Sequence, residues 1–485
     1  MKRRNFLALS TATVGGIFLT RCASDNSQAQ PNATRLSKVA QTPAGVELSL
    51  EARRDTVSLG SDRASRLTYN GQIPGPKIEA KPGDSVRIRF TNHLGKPTNL
   101  HYHGLHISPS GKADNVFLKV SPGETLTYEF DIPPNHPAGT FWYHPHWHGL
   151  VADQVFGGLA GLFVIRGELD EIPEVRSARE EFVVLKDFDR AGSQSSPHHM
   201  QQMLGREGQL LTANGRVNPS FTLPERGLLR LRLLNASNAR FYRLAIEDHP
   251  LYLIATDGGA IANPVELSEL LLSPGERAEV LVKGDRSPGR YRLLDLPYNR
   301  GGMGMMGGRG MMGGRGMHRG RMRGRSQNAP QTLATLEYGD RVEPQSLPQT
   351  LLPVETLPEP ETVRRFTLNH GMAPGMGMVF LINDRAFQSG RIDTRVRLNT
   401  VEDWEIINNG VMDHPFHLHL NHFQIVSRNN RPEPQRAWKD TVLVPRGESV
   451  RIRIPFRDFT GKTVYHCHIL DHEDLGMMGA LQIEA

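Results

Sequence analysis

Cysteine is nearly absent from this 485-residue chain: there are two, Cys22 and Cys467, and only the second lies in the body. A single body cysteine has no partner for an internal disulfide, which excludes a disulfide-stapled scaffold and leaves a reactive thiol or a metal ligand. Long apolar runs are missing too. Beyond the opening segment nothing approaches the roughly 20 apolar residues that a membrane-spanning helix needs. A basic nucleic-acid surface is also lacking. The formal charge is +6, but Lys2, Arg3, Arg4 and Arg21 belong to the opening segment and seven arginines lie from Arg300 to Arg325, and without those cations the chain carries −5. A mildly acidic body argues against a nucleic-acid partner.

Glycine and proline are plentiful, at 48 and 33. They interrupt many short Val/Ile/Leu/Thr runs, the pattern of an all-β chain, and the length is too great for one ordinary core. The opening MKRRNFLALSTATVGGIFLT pairs Arg3 and Arg4 before an apolar stretch too short to span a bilayer. This predicts an export signal of twin-arginine type over residues 1–29, with the twin-arginine machinery as a partner and a periplasmic or otherwise extracytoplasmic destination. Cleavage falls after Ala29 or before Cys22. A lipid anchor at Cys22 would be the one tie to a membrane, and Arg21 is a poor residue immediately before it.

One pattern occurs three times. A turn at Asn70-Gly71, Asn214-Gly215 and Asn383-Asp384 is followed each time by an alternating strand that ends in asparagine: KPGDSVRIRFTN, ERGLLRLRLLN and TVEDWEIINN. Further on, SPGETLTYEF, SPGERAEVLV and PRGESVRIRI correspond and lead into GTFWYHPH, GRYRLLDL and GKTVYHCH. The spacing, about 144 to 152 residues and then 169 to 172, predicts three tandem β-domains. The expected limits are 42–168, 169–355 and 356–485. The longer second interval is accounted for by a Met/Arg/Gly-rich insertion over 301–325, holding 7 of the 16 methionines, and a proline-rich linker from residue 343.

Half of the 20 histidines are grouped in HYHG, HPHW, HPFHLH and HCHILDH. They are His101, His103, His144, His146, His414, His417, His419, His466, His468 and His472. The first two clusters occupy equivalent strand positions in copy one and the last two in copy three; copy two has none. A site using all four lies between domains one and three, with domain two as a spacer. On a strand, His-x-His sends both rings to one face and the intervening residue to the other. His466 and His468 therefore serve one metal site and Cys467 another. Cys467, His472, Met477 and a histidine from a neighbouring strand form the His₂Cys set with a weak axial methionine that suits blue, type 1 copper. The eight imidazoles without thiolate suit a copper cluster, whereas zinc would need only four ligands. One HxH pair alone would be weak, since such pairs are often surface or packing residues. Four clusters at homologous positions are specific. His93, His106, His136, His148, His198, His199, His249, His370 and His422 read as packing or surface residues, and His318 among its methionines stays open.

In the order HxHG, HxH, HPxHxH and HCHxxxHxxxxM, these motifs resemble the three-domain multicopper oxidases, notably bacterial laccases and copper-efflux cuprous oxidases, from about residue 45 to the end. The resemblance implies three cupredoxin Greek-key barrels and four copper ions, one type 1, one type 2 and two type 3. It implies that His414, Cys467, His472 and Met477 hold the type 1 ion and His101 and His417 the type 2 ion. One type 3 ion would take His103, His144 and His468, the other His146, His419 and His466. It also implies that Glu473 and Asp114 supply protons to dioxygen, with a surface-loop role as the alternative for Asp114, and gives Asp440 structural support only. The expected reaction is one-electron oxidation of Cu(I), or of phenols and aromatic amines, coupled to four-electron reduction of dioxygen to water. The methionine insertion, with its soft thioethers, favours Cu(I). The rivals are a copper nitrite reductase, which lacks the full eight-histidine cluster, and a copper-sequestering envelope protein.

Overall fold

The computed structural model describes residues 41–42, 45–193, 198–301, 329–373 and 377–485. The opening segment with Cys22 and nearly all of the methionine-rich insertion lie outside the described residues. The regular elements among them are almost all strands, with five short helices, and none of these helices is long and apolar enough to cross a membrane.

The three repeated stretches fold alike, for reasons visible in their side chains. Asn70, Asn214 and Asn383 all adopt positive φ, at 51°, 54° and 51°, which asparagine tolerates and hairpin turns require. Each side-chain oxygen accepts an amide from the strand that pairs with the one just before the turn: Glu51, Val184 and Thr367, at 2.7, 2.8 and 2.8 Å. The asparagines that end the alternating strands, Asn92, Asn235 and Asn408, are fully buried. Each donates to two backbone carbonyls and accepts the amide two residues on, so each clamps the loop that follows it. A buried amide left unsatisfied would be costly, and these are satisfied.

Three pairs of sheets result, each pair around its own apolar core. In the first, Ser85–Asn92 lies between Gly45–Leu59, which runs parallel to it, and antiparallel Thr125–Asp131. The facing sheet runs Gly75–Ala80, Gly161–Ile165, Gly139–His144, His101–His103. The second pair repeats the parallel step between Arg179–Phe188 and Leu228–Asn235, and the third between Thr362–Ala373 and Thr400–Asn408. Parallel neighbours within mostly antiparallel sheets require crossover connections rather than hairpins, as in Greek-key sandwiches.

Period-two alternation explains which side chains these strands bury. Val86, Ile88 and Phe90 face the first core while Arg87 and Arg89 face solvent. At the matching places in the second sandwich, Arg230 and Arg232 are buried as well. Their guanidinium groups meet Glu279 and Asp170, and Arg232 also meets Glu180, at 2.5 to 2.7 Å. Glu279 in turn accepts Thr140 from the strand Gly139–His144 at 2.8 Å. A buried charge without a partner is strongly destabilising, and here each guanidinium is paired within the second sandwich, with Thr140 of the first as an added contact.

Candidate metal centre

Register places the histidines. His101 lies opposite His144 in the first sandwich, and His417 opposite His466 in the third. The rings from the two sandwiches meet face to face. His101 stacks on His419 with ring centroids 3.9 Å apart, and His103 on His417 at 3.8 Å. His144 is backed by Trp142 at 4.1 Å, and His468 approaches His103 at 4.9 Å. His146, His419 and His466 converge through Nε2, with His466 3.2 Å from His146 and 3.0 Å from His419. All eight rings are buried.

The outer nitrogen of most rings is occupied, which fixes where the inner lone pair points. His144 donates from Nδ1 to the Pro145 carbonyl at 2.9 Å, His417 from Nδ1 to the Asp440 carbonyl at 2.9 Å, and His466 from Nδ1 to the Cys467 carbonyl at 3.0 Å. His101 places Nδ1 2.9 Å from Asp114, and His103 places Nε2 3.1 Å from Asp440. The opposite nitrogens, Nε2 of His101, His144 and His417 and Nδ1 of His103, are buried with no hydrogen-bond partner, as are both nitrogens of His468. Orphaned lone pairs converging in a dry site fit a cluster of cations and are otherwise costly. Burial holds His101, His103, His144, His419, His466 and His468 well below the ordinary histidine value, and His146 at about 3. Neutral imidazole is the form that binds metal.

Cys467 points away from this cluster. Its Sγ lies 3.4 Å from His414 Nδ1 and 3.8 Å from His472 Nδ1, and the two nitrogens are 3.3 Å apart. Met477 is fully buried in the same apolar cluster as Cys467 and Phe380. Its amide donates to the His472 carbonyl at 2.9 Å. Burial pushes the Cys467 thiol up and holds His414 at about 3, so only a cation would make the thiolate stable here. A dry Cys/His₂ set with a buried thioether nearby fits copper by softness and number.

The acidic residues are all interior. Asp114 is buried, not on a surface loop, and its Oδ1 also accepts the Tyr102 amide at 2.9 Å; burial pushes its carboxyl up to about 8. Glu473 is fully buried, with oxygens 3.2 Å from His466 Nδ1 and 3.5 Å from His146 Nε2 but without an aligned hydrogen bond; burial raises it well above the usual carboxylate range. For Asp440 burial alone would raise the carboxyl, but Arg277 and His103 bring it well below its usual range.

Three neighbours had no sequence signal. The Met203 carbonyl accepts His472 Nε2–H at 3.0 Å, and Phe380 stacks on His472 at 3.8 Å. Arg277 pairs with Asp440 at 2.8 and 2.5 Å. Met203, on the helix His198–Leu204, and Arg277, on a strand of the second sandwich, both come from the stretch between the first and third sandwiches, which is therefore more than the spacer expected. Of the histidines read as packing residues, His106, His136 and His422 each hold a backbone carbonyl, and the side chains of His198 and His199 lie outside the described residues.

Comparison with known proteins agrees with this geometry. Multicopper oxidase family models match residues 51–170, 185–302 and 356–485. The chain is 30% identical over 436 residues to the multicopper oxidase mco of Staphylococcus haemolyticus, covering 87% of this chain and 84% of that one. It is 30% identical over 471 residues to the cell division protein FtsP of Xenorhabdus nematophila, covering 94% and 93%. Among solved structures it resembles the multicopper oxidase from Campylobacter jejuni, described as a metallo-oxidase, with a TM-score of 0.79 and 31% identity over 93% of this chain and 94% of the other. With matches of this extent on three cupredoxin-like domains, the chain belongs to the multicopper oxidase family and is an oxidoreductase that uses copper.

Proposed function

We propose that this protein, acting outside the cytoplasm, couples one-electron oxidations at Cys467 to reduction of dioxygen to two waters at the eight-histidine cluster. The observation that supports it is the position of Cys467, with Sγ against His414 and His472 while His466 and His468 on either side of it join the cluster. On this reading His414, Cys467, His472 and Met477 hold the type 1 ion. His101 and His417 hold the type 2 ion, and His103, His144 and His468, with His146, His419 and His466, hold two type 3 ions. Bound copper would supply single-electron chemistry at the thiolate and four-electron chemistry at the cluster.

The chain's own residues then have separable tasks. Cys467 offers a path of a few covalent bonds between the two sites. Phe380 and the Met203 carbonyl orient His472. Glu473, kept protonated by burial beside His146 and His466, holds a proton where reduced oxygen needs one, and Asp114 orients His101 and carries a second. The same reading takes residues 1–29 as the export signal and places domain limits near 168 and 355; the second of these is supported by the absence of strand and helix between Arg341 and Thr362.

Cu(I) is the proposed substrate, with phenols and aromatic amines second. The methionine-rich insertion starts beside the thiolate site: Gly301 pairs with Met412, two residues before His414, and the Arg300 carbonyl accepts the Asp413 amide at 2.9 Å. The test is dioxygen uptake by copper-loaded protein given Cu(I) or a phenol, with and without residues 302–328 replaced by a Gly/Ser linker. The expected stoichiometry is four reducing equivalents per dioxygen, and the replacement should lower Cu(I) turnover by about tenfold while sparing phenol turnover. Two equivalents per dioxygen would rule out water as product. No uptake would favour sequestration, and an equal loss on both substrates would remove the case for Cu(I).

A further inference from the structure

The second sandwich carries no histidine at the metal sites, yet its turn Ser273–Arg277 is pressed against them. A side chain on Gly275 would sit 2.9 Å from the His468 ring, so only glycine lets the turn come this close. Two residues on, Arg277 is fully buried where all three sandwiches meet. It donates to the Thr140 carbonyl of the first at 2.9 Å and to the Asp257 and Gly275 carbonyls of the second at 2.9 and 3.1 Å. Both oxygens of Asp440 in the third accept from it, at 2.8 and 2.5 Å. Gly104 belongs to the same arrangement, because a side chain there would meet Arg277 Nη2 at 2.3 Å and Asp440 Oδ2 at 2.5 Å. The glycine of the HYHG motif is therefore required by this ion pair.

Asp440 Oδ1, fixed by this fork, also accepts the Thr441 hydroxyl at 2.9 Å and faces His103 Nε2 at 3.1 Å. A carboxylate held on both oxygens by a guanidinium cannot rotate or act as a donor, so His103 must carry its proton on Nε2. Its buried Nδ1, which has no partner, is then a lone pair directed into the cluster. We propose that Arg277 is a positioning residue that, acting through Asp440, sets the tautomer of His103 and so makes the first sandwich competent to bind metal. This rests on the reading of the eight histidines as a copper site. It gives the second sandwich, which brings no histidine to the cluster, a task in the reaction: until it docks, His103 is free to take the other tautomer.

Copper content, optical spectra and turnover of Arg277→Gln, Asp440→Asn and the double variant test this. Arg277→Gln should keep the blue absorption of the Cys467 site, while copper affinity at the histidine cluster and turnover fall about 10–100-fold, as for loss of an outer partner of a metal ligand. The double variant should be no worse than the worse single one, because both act along one path. Losses that multiply, or an Arg277→Gln protein with full copper and turnover, overturn the inference while leaving the copper reading intact. A wild-type chain that binds copper only at Cys467 overturns the copper reading instead. Should Arg277→Gln fail to fold, neutron diffraction on deuterium-exchanged wild-type crystals decides: deuterium on His103 Nε2 supports the inference, and deuterium on Nδ1 ends it.

Discussion

The thiolate pocket and the eight-histidine cluster are joined by neighbouring residues of one strand, but they are assembled in opposite ways. His414, Cys467, His472 and Met477 all belong to the third sandwich and share its apolar core with Phe380 and Phe416. The cluster takes four rings from the first sandwich and four from the third, and its contacts cross between them, as in the stacking of His101 on His419 and of His103 on His417. One pocket draws its four side chains from a single domain, with the Met203 carbonyl reaching in from outside it; the other draws its rings from two domains. Substitutions confined to one side should therefore separate the two.

The largest effect is expected from Cys467→Ser. Serine fits the space of the thiol, so the buried strand should keep its packing, but the hydroxyl is a poor substitute for thiolate. Blue absorption should vanish, and turnover should fall well beyond the ~100-fold typical of losing an outer partner. Copper bound by the eight histidines should remain, as counted by metal analysis. Loss of all copper would show that the two pockets do not assemble independently.

That asymmetry also governs what could be read from the sequence. The repeats and their turns were legible because Asn70, Asn214 and Asn383 face the same local demand, a positive φ that few residues tolerate. HCHILDH and the following methionine were legible because His466, Cys467, His468, His472 and Met477 lie close together in the chain, so local geometry decides where they point. Arg277 lies 163 residues from Asp440 and Met203 lies 269 from His472, and nothing in either local sequence encodes such a meeting. Arg230 and Arg232 are buried for the same reason, since their partners Asp170, Glu180 and Glu279 lie 47 to 62 residues away in the chain. Asp114 falls between these cases. Its distance from HYHG was suggestive, but its burial depends on how the loop closes over His101.

A smaller effect, confined to the cluster, is expected from Glu473→Gln. The amide keeps the shape of the carboxyl, but it cannot give up a proton and regain it. Turnover should fall ~100-fold, the lower range for loss of a general acid. Blue absorption and copper content should stay at wild-type levels, because Glu473 contacts rings of the cluster and not Cys467. A change in the blue band would mean that Glu473 acts on the strand bearing Cys467 and not on protons.

The smallest effect is expected at Met477, and it sharpens the comparison from the other side. Met477 lies in the core cluster that contains Cys467 and Phe380, whereas Met478 packs with Val116, Val464 and Phe117 in a separate cluster. Met477 is thus on the side of the thiolate, and Met478 is not. Met477→Leu conserves volume in a close-packed site, so it should cost less than about 1.5 kcal/mol of stability. The blue band should persist, since Cys467, His414 and His472 are untouched. The reduction potential should rise, because a weak sulfur donor favours the oxidised ion and leucine offers none. The copper content of the cluster should not change, and turnover should shift only a few-fold. Redox titration of the blue band against Met478→Leu decides the assignment: the rise is expected for Met477→Leu alone, and a rise confined to Met478→Leu would move the axial position by one residue and with it the face on which the thiolate pocket closes.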